Sequence, residues 1–283
     1  FSGGLSAVTS ARKTVFIGGG PLTIVGERIN PTGKKALQAE LREGKTGMVQ
    51  DFALEQQIKG AAILDVNMGL SGIDEREMML KCVRVLAKTS DLPLRIDSTN
   101  PEVVEGALRI YPGRALVNSI SAEAARIERT LPIAAKYGAM FILLPLTDRE
   151  VPETARVRKR IIRRILKAAK RHGFTGEDIV IDGLVMTVAA NPGAALETLD
   201  TVAWCAEKLK MRTVLGLSNV SFGMPERKWI NAAFLAMACA RGLTMAIANP
   251  SNEELMNIKM ATDALSLKDK SARRYIERFS DAA

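Results

Sequence analysis

Short apolar runs alternate with helical patterns along the chain, and this alternation limits the possible folds more than any other feature. The runs lie at 22–27, 61–67, 93–97, 114–119, 140–146, 178–184, 212–218 and 243–249. Helical patterns follow them, for example at 75–87, 101–110, 122–137 and 252–265. Runs that are apolar throughout are typical of parallel strands covered on both faces. Eight such units in about 250 residues predict an α/β fold, a (β/α)8 barrel.

Residues 1–20 precede the first strand and are rich in Ser, Gly and basic residues. We predict an N-terminal arm or interdomain linker for 1–20 and the barrel for 21–283. A doubly wound sheet is the structural alternative, but no G-x-G-x-x-G motif follows the first strand. Because the sequence begins with Phe1, we expect a processed chain or a piece of a longer one.

The composition argues against several classes of protein. No apolar run approaches the roughly 20 residues that a membrane-spanning helix needs, and no signal peptide opens the chain. Cys82, Cys205 and Cys239 are far apart in the sequence and are predicted to lie in core helices. The single histidine, His172, argues against His-rich metal sites and Ser-His-Asp triads. We expect a cytoplasmic protein with no membrane partner and no metal site.

The net charge of +9 comes largely from the segment 156–171. Apolar residues recur there at helical spacing, at Val157, Ile161, Ile162, Ile165, Leu166 and Ala169. This pattern predicts an amphipathic helix with a solvated basic face. A docking face for an acidic partner and a nucleic-acid patch are alternatives. Because no aromatic residue interleaves with the charges, we expect no nucleic-acid partner.

Polar residues follow almost every predicted strand, where a barrel builds its active site. They are Glu27, Arg28, Asn30, Asp65, Asn67, Asp97, Ser98, Asn100, Asn118, Ser119, Thr147, Asp148, Asp182, Ser218, Asn219, Ser221 and Asn249. Any one of them alone is most often a helix N-cap, as Asn100 before Pro101 illustrates. However, several carboxylates and carboxamides on one rim exceed what capping needs.

Such a ring suits a neutral heterocycle that carries both hydrogen-bond donors and acceptors. A carboxylate accepts two hydrogen bonds side by side from an N–H and an exocyclic NH2 group. A carboxamide supplies one donor and one acceptor to an adjacent C=O and N–H. Pterins and guanines both present that edge.

Motifs at successive strands resemble the pterin-binding barrels. They are "GERINPTGKK" (26–35), "LDVNMG" (64–69), "IDSTN" (96–100), "VNSIS" (117–121), "VID" (180–182), "GLSNVSFG" (216–223) and "INAAFLAMACARGLTMAIANP" (230–250). Within that group the chain is most similar to the methyltetrahydrofolate:corrinoid methyltransferases, which include the folate-binding domain of cobalamin-dependent methionine synthase. Two positions stand out: Gly183 replaces a Pro frequent in the family, and Phe222 occurs as in methionine synthases.

The resemblance implies a role for each matching residue. Folate-binding roles fall on Glu27, Asp65, Asn67, Asp97, Asn118, Asp182, Asn219, Ser221, Arg227 and Asn249. Asp97, Asn118 and Asp182 would hydrogen-bond the pterin ring. Asn219 would be the catalytic residue, beside the N5 atom that bears the methyl group.

The implied activity is transfer of the N5 methyl group of 5-methyltetrahydrofolate to the Co(I) of a cobalamin or other corrinoid on a partner domain or protein. The chain would then be the folate module of a methionine synthase, with a homocysteine-binding domain as a possible further partner in the same chain. A free-standing methyltransferase for a corrinoid/iron–sulfur protein, a dihydropteroate synthase and a non-catalytic folate-binding module are alternatives. "VNMGLSG" and "SNVSFG" stand where a dihydropteroate synthase carries its characteristic loops, which disfavours that activity.

Overall fold

The structure is a computed structural model that describes residues 5–148, 151–266 and 270–280. In chain order its elements are β1 (Ala7–Thr9), β2 (Thr14–Phe16), β3 (Thr23–Ile29), α1 (Lys35–Arg42), α2 (Gly47–Ile58), β4 (Ile63–Asn67), α3 (Glu75–Thr89), β5 (Leu94–Asp97), α4 (Pro101–Ile110), β6 (Leu116–Ile120), a π-helical turn (Arg126–Thr130), α5 (Leu131–Lys136), β7 (Met140–Leu143), α6 (Ala155–Arg171), a 3-10 turn (Gly176–Asp178), β8 (Ile179–Asp182), α7 (Ala194–Glu207), β9 (Arg212–Gly216), a 3-10 helix (Leu217–Ser221), α8 (Arg227–Ala240), β10 (Met245–Ala248), α9 (Glu253–Leu265) and α10 (Ser271–Phe279).

Strands β3 to β10 form a closed barrel in the order β10-β3-β4-β5-β6-β7-β8-β9, and every pair is parallel. The predicted (β/α)8 barrel is therefore confirmed, and the doubly wound alternative is wrong. The main difference lies at the predicted run 212–218. The seventh barrel strand, β9, already ends at Gly216, and a 3-10 helix takes the chain across the barrel mouth.

Side chains alternate between the two faces of each barrel strand, as the period of two requires. Outward-facing residues pack under the helices, among them Leu64, Ile96, Val117 and Ile181. Inward-facing residues fill the barrel interior, among them Val25, Ile63, Leu116, Val180 and Val214. Because both faces are buried, the strands read as continuously apolar runs.

The helices begin where the local sequence predicts. The carboxamide oxygen of Asn100 accepts a hydrogen bond from the Glu102 N–H at 2.9 Å and caps α4, as predicted. Asn252 caps α9 in the same way. The predicted helix at 122–137 forms instead as a π-helical turn followed by α5.

The predicted arm folds onto the amino-terminal end of the barrel. Strands β1 and β2 pair antiparallel with Val8 opposite Val15. Both valines are buried in the same cluster as Val25 in the barrel interior. At Gly113 a Cβ would lie only 2.1 Å from the Thr9 carbonyl oxygen, so only glycine lets β1 pass this close. The hairpin therefore closes this end of the barrel, and a role in linking two domains stays a prediction.

The remaining helical predictions are confirmed, with one exception. Helix α6 is amphipathic, but Arg158 lies on its buried face with Ile161, Ile162 and Ile165 and is fully buried, which the pattern did not predict. His172 is exposed at the C-cap of α6. Cys82 and Cys205 are buried and Cys239 is half-buried, each within a helix. No helix in the described parts of the chain is long and apolar enough to cross a bilayer.

Truncation of single side chains should show that the buried face of the hairpin contributes more to stability than its exposed face. Val8 is fully buried, whereas Phe16 is 59% exposed. We expect Val8→Ala to lower the free energy of unfolding by about 2 kcal/mol, because it removes buried methyl groups and leaves a cavity. Phe16→Ala, which deletes more atoms, should cost less than about 1 kcal/mol. Urea denaturation measures both, and equal losses would show that the hairpin does not seal the barrel.

Candidate active site at the carboxyl end of the barrel

The strand register brings the predicted polar residues together at one end of the barrel. Asn67 on β4 lies beside Asp97 on β5, and Asp97 lies beside Asn118 on β6. Because adjacent strands are about 4.8 Å apart, the three side chains form a continuous row. Alternation also directs Glu27 of β3 and Asp182 of β8 into the barrel at this end, two residues beyond Val25 and Val180.

A buried ion pair lies directly beneath this row. Asp65 of β4 and Arg95 of β5 are register partners, and Arg95 Nη1 is 2.6 Å from Asp65 Oδ1. Each side chain is only 5% exposed. Neither Arg95 Nε nor Asp65 Oδ1 has a hydrogen-bond partner among the described residues, so charge rather than an aligned hydrogen bond holds these two atoms in place.

Arg95 was missed by the sequence reasoning. A charged residue inside the apolar run 93–97 was the available signal, since an inward-facing cation in a barrel strand needs a partner. Its charge reaches several acids of the ring. Burial raises the pKa of Asp65, and the Arg95 guanidinium opposes that rise while Asp97 adds to it.

Burial likewise raises the pKa of Asp182, to about 6. A hydrogen bond from the Leu184 N–H to Asp182 Oδ1, at 2.8 Å, opposes the rise, as do the charges of Arg95 and Arg158. Asp182 is therefore an anion at neutral pH and gains a proton as the pH falls through about 6.

Glu27 of β3, the strand next to β4 in the barrel, is near three cations. Burial raises the pKa of its carboxyl group, and Lys34, Arg95 and Arg227 oppose the rise in that order. Burial also lowers the pKa of Lys34, whose ammonium donates to the Asn30 carbonyl oxygen at 3.0 Å. Lys34 was also missed, although it lies within the "GERINPTGKK" motif. The role of Glu27 as a supporting polar group stays a prediction.

Three of the predicted ligand-binding side chains have no hydrogen-bond partner among the described residues. They are Asp97, Asn118 and Asn219. Asp97 and Asn118 are half-buried, where an unsatisfied polar group is costly. A mouth lined by such groups is suited to a ligand that supplies the missing donors and acceptors.

Two other amides predicted to bind folate each accept a hydrogen bond from the main chain. Asn67 Oδ1 accepts from the Gly69 N–H at 2.9 Å, and Asn249 Oδ1 accepts from the Ser251 N–H at 3.1 Å. Each oxygen therefore stabilises a turn after its strand. The NH2 group of each amide faces no described acceptor, so a folate-binding role for Asn67 and Asn249 stays a prediction.

The 3-10 helix Leu217–Ser221 carries Asn219 at the mouth, exposed to solvent. A Cβ at Gly216 would lie 3.2 Å from Asn219 Nδ2, so glycine there leaves room for the amide. The apolar residues Leu217 and Val220 are buried on either side of Asn219. Burial of these neighbours fixes the backbone while the amide stays free.

Ser221 and Arg227 hold this 3-10 helix in place. The buried Ser221 hydroxyl donates to Asn231 Oδ1 at 2.8 Å and accepts from Arg227 Nε at 3.0 Å. Arg227 Nη2 also donates to the Ser218 carbonyl oxygen at 2.6 Å. These contacts position Asn219, and direct folate contacts of Ser221 and Arg227 stay predictions.

Other strand-end residues make structural contacts away from the ring. Arg28 forms an ion pair with Glu55 and lies over the Phe52 ring, 4.3 Å from its centroid. Ser98 donates to Glu75 Oε1 at 2.5 Å. Among the residues that the structure describes, no group of three or more His, Cys, Asp and Glu is placed to hold a metal ion.

Removing the acid of the buried ion pair should be costly. In Asp65→Asn the Arg95 guanidinium stays buried without an anion, so we expect a loss of about 3–5 kcal/mol in the free energy of unfolding. Urea denaturation at pH 7.5 measures it. The double variant Asp65→Asn/Arg95→Met removes both charges and should recover part of that loss. A single variant as stable as the parent would contradict the ion pair.

Comparison with known proteins identifies relatives of the whole barrel. The chain is similar to a methylcorrinoid:tetrahydrofolate methyltransferase from Eubacterium limosum, with 28% identity over 264 residues, which are 91% of this chain and 96% of the relative. It is also similar to a methionine synthase from Mycobacterium tuberculosis, with 29% identity over 251 residues. That match covers 83% of this chain but only 21% of the methionine synthase.

Solved structures share the fold. A dihydropteroate synthase from Stenotrophomonas maltophilia superposes with a TM-score of 0.65 at 20% identity, over 87% of this chain and 93% of that chain. A dihydropteroate synthase from Yersinia pestis superposes with a TM-score of 0.63 at 15% identity, over 92% of this chain and 98% of that chain. Identities this low show a common barrel and nothing about the reaction.

Residues 26–249 match the family described as pterin binding enzymes. This range contains every predicted site residue, from Glu27 to Asn249. The resemblance stated from the sequence motifs is confirmed, and the similarity to a methyltransferase agrees with the predicted enzyme class. The chain belongs to the pterin-binding enzymes.

Proposed function

We propose that this barrel binds 5-methyltetrahydrofolate by its pterin ring and transfers the N5 methyl group to a corrinoid carried by a partner domain or protein. The observation that carries the proposal is the set of unpartnered polar groups at the mouth: Asp97, Asn118 and Asn219 have no described hydrogen-bond partner. A pterin offers the complementary N–H, NH2 and C=O groups.

The far edge of the pterin would lie against the row of acids and amides. The carboxyl oxygens of Asp182 or Asp97 accept from a ring N–H and the exocyclic NH2 group. The Asn118 amide donates to the ring C=O and accepts from a neighbouring N–H. Fixing this edge orients the reacting end of the folate toward the exposed Asn219.

Asn219 would act on N5 itself. The methyl group leaves N5 without its bonding electron pair, and N5 keeps that pair and takes a proton. An amide that first donates to N5 and then rotates accepts from the N5–H that forms, which stabilises charge as it develops. A carboxylic acid or water would supply the proton.

The group that accepts the methyl would come from outside this chain. A corrinoid supplies a nucleophilic Co(I) when bound, and the donor set of the ring offers it no ligand of the usual kind, since Asp and Asn oxygens are hard. The exposed position of Asn219 instead suits an acceptor presented by a partner. The partner's identity and a homocysteine-binding domain stay predictions, as does the cytoplasmic location.

The relatives support two forms of one proposal. The methyltransferase of Eubacterium limosum is covered almost whole, as a free-standing enzyme would be. The methionine synthase is covered over about a fifth, as a module would be. The name of the first relative describes transfer from a methylcorrinoid to tetrahydrofolate. Because a catalysed step passes through the same transition state both ways, the same residues would serve either direction.

Truncation of Asn219 should slow methyl transfer more than it weakens folate binding. We expect Asn219→Ala to lower the single-turnover rate with free cob(I)alamin roughly 100-fold, with the dissociation constant of 5-methyltetrahydrofolate changed less than about 3-fold. Absorbance follows the cobalt, and calorimetry follows binding. Ser218→Ala, on the same 3-10 helix, is the control and should keep the rate. Loss of rate in both variants, or in neither, would remove Asn219 from its role.

Neutralising Asp182 should weaken folate binding. We expect Asp182→Asn to raise the dissociation constant of 5-methyltetrahydrofolate at least 10-fold at pH 7.5, because charged hydrogen bonds are worth about 1.5–3 kcal/mol. In the parent protein, affinity should fall as the pH drops through about 6, where Asp182 gains its proton. Calorimetry from pH 5.5 to 8 tests both points, and an unchanged affinity would exclude Asp182 from the pterin edge.

The raised pKa of Asp182 also makes the stability of the folate-free protein depend on pH. Folding raises the pKa of Asp182 from 3.8 to about 6, so folded protein holds the proton more tightly. The free energy of unfolding therefore contains a contribution that is lost as the pH rises through this window. Asp182→Asn should remove that part of the pH dependence in urea denaturation.

A further inference from the structure

A buried guanidinium lies behind the ring of acids, and the proposed chemistry does not use it. Arg158 of α6 is 0% exposed and pairs with no carboxylate among the described residues. Instead, its nitrogens donate to the carbonyl oxygens of Pro152 at 2.9 Å, Gly183 at 3.0 Å and Glu153 at 3.3 Å, and to the Thr198 hydroxyl at 3.1 Å. Burying a cation without an anion is costly, so these contacts must be numerous and well made.

Two of these contacts converge on the turn that follows Asp182. Arg158 Nη1 donates to the Gly183 carbonyl oxygen. The Thr198 hydroxyl, which accepts from the same Nη1, lies 3.0 Å from the Leu184 carbonyl oxygen. The Gly183 carbonyl group is therefore held from α6, and the Leu184 carbonyl group is one of two acceptors for the Thr198 hydroxyl of α7, the other being the Ala194 carbonyl oxygen at 3.1 Å.

The held turn has an unusual backbone conformation. Leu184 has a φ of +59°, in the left-handed region that costs a non-glycine residue about 1–3 kcal/mol. In this conformation the Leu184 N–H points at Asp182 and donates to its Oδ1 at 2.8 Å. Gly183 has no room for a side chain, since a Cβ would lie 2.7 Å from Leu215 Cδ2. Hydrogen bonds from Arg158 and to Asp182, together with the close packing of Leu215, thus constrain the turn.

We propose that Arg158 is a positioning residue for Asp182: by holding the Gly183–Leu184 turn in its left-handed conformation, it aims the Leu184 N–H at the Asp182 carboxylate and aligns that carboxylate with the pterin edge. The inference rests on the proposed function, in which Asp182 accepts hydrogen bonds from the pterin. Arg158 is then one residue of the basic segment 156–171 that acts in the protein interior rather than on the solvated surface.

Arg158 acts on Asp182 by charge as well as by geometry. The charged groups that face Asp182 are Arg95 from β5 and Arg158 from α6, and both favour its ionised form against burial. Glu197 of α7 faces Arg158 and offsets part of that charge. Loss of the guanidinium should therefore loosen the turn and also raise the pH at which Asp182 gains its proton.

The test separates these two effects with variants of the full chain. In Arg158→Met we expect the affinity for 5-methyltetrahydrofolate at pH 7 to fall about 10-fold and the midpoint of its pH dependence to rise above about 6. Arg158→Lys keeps a positive charge and should leave the midpoint in place. Thr198→Val removes the hydroxyl beside the Leu184 carbonyl but keeps the guanidinium charge, so it should lower affinity and raise the midpoint less than Arg158→Met does. Calorimetry from pH 5.5 to 8.5 measures all three.

A double-variant cycle distinguishes positioning from a general loss of structure. In an Asp182→Asn background, Arg158→Met should cause no further loss of affinity and no pH shift, because the two residues act through one carboxylate. Additive losses, or single variants that keep the parent affinity and midpoint, would overturn the inference. If Arg158→Met does not fold, Arg158→Lys and Thr198→Val still decide it. A parent protein that binds no 5-methyltetrahydrofolate would instead refute the proposed function.

Discussion

The buried ion pair between Arg95 and Asp65 is the interaction on which the candidate site depends. A closed parallel barrel points its inward side chains at one another, so acids at several strand ends would repel in a medium of low dielectric constant. Arg95 places a positive charge beneath them, and its field reaches Asp65, Glu27 and Asp182. The ring can therefore hold several carboxyl groups close together and leave some ionised.

A second buried cation supports the same ring from outside the barrel. Arg158 reaches between α6 and the end of β8 and holds main-chain carbonyl groups, whereas Arg95 holds a side chain within the barrel. Both guanidinium groups favour the ionised form of Asp182, Arg95 from a barrel strand and Arg158 from helix α6. After the neighbouring strand β9, Arg227 and Ser221 fix the 3-10 helix that carries Asn219. The acids and the Asn118 amide of the ring are buried or half-buried, whereas Asn219 is exposed.

Much of the architecture could be predicted because it follows from local periodicity. Apolar runs of strand length, separated by helical patterns, leave few folds that bury both faces of every strand. The carboxylates and amides at strand ends were predictable for the same reason. Arg95 and Arg158 were not, because an arginine in an apolar run or on a basic helix reads as a solvated residue until its neighbours are known. Their positions depend on register and helix packing between distant segments.

The sequence by itself determined the (β/α)8 barrel, the polar ring from Glu27 to Asn249 and the resemblance to pterin-binding enzymes. Strand periodicity and the order of the motifs can be read from the sequence without knowledge of long-range contacts. Only the tertiary structure decided which polar groups are already satisfied and which are free. It showed Asn67 and Asn249 engaged in turns, and Asp97, Asn118 and Asn219 without described partners. The physical reason is that hydrogen bonds and burial are set by contacts between residues far apart in the chain.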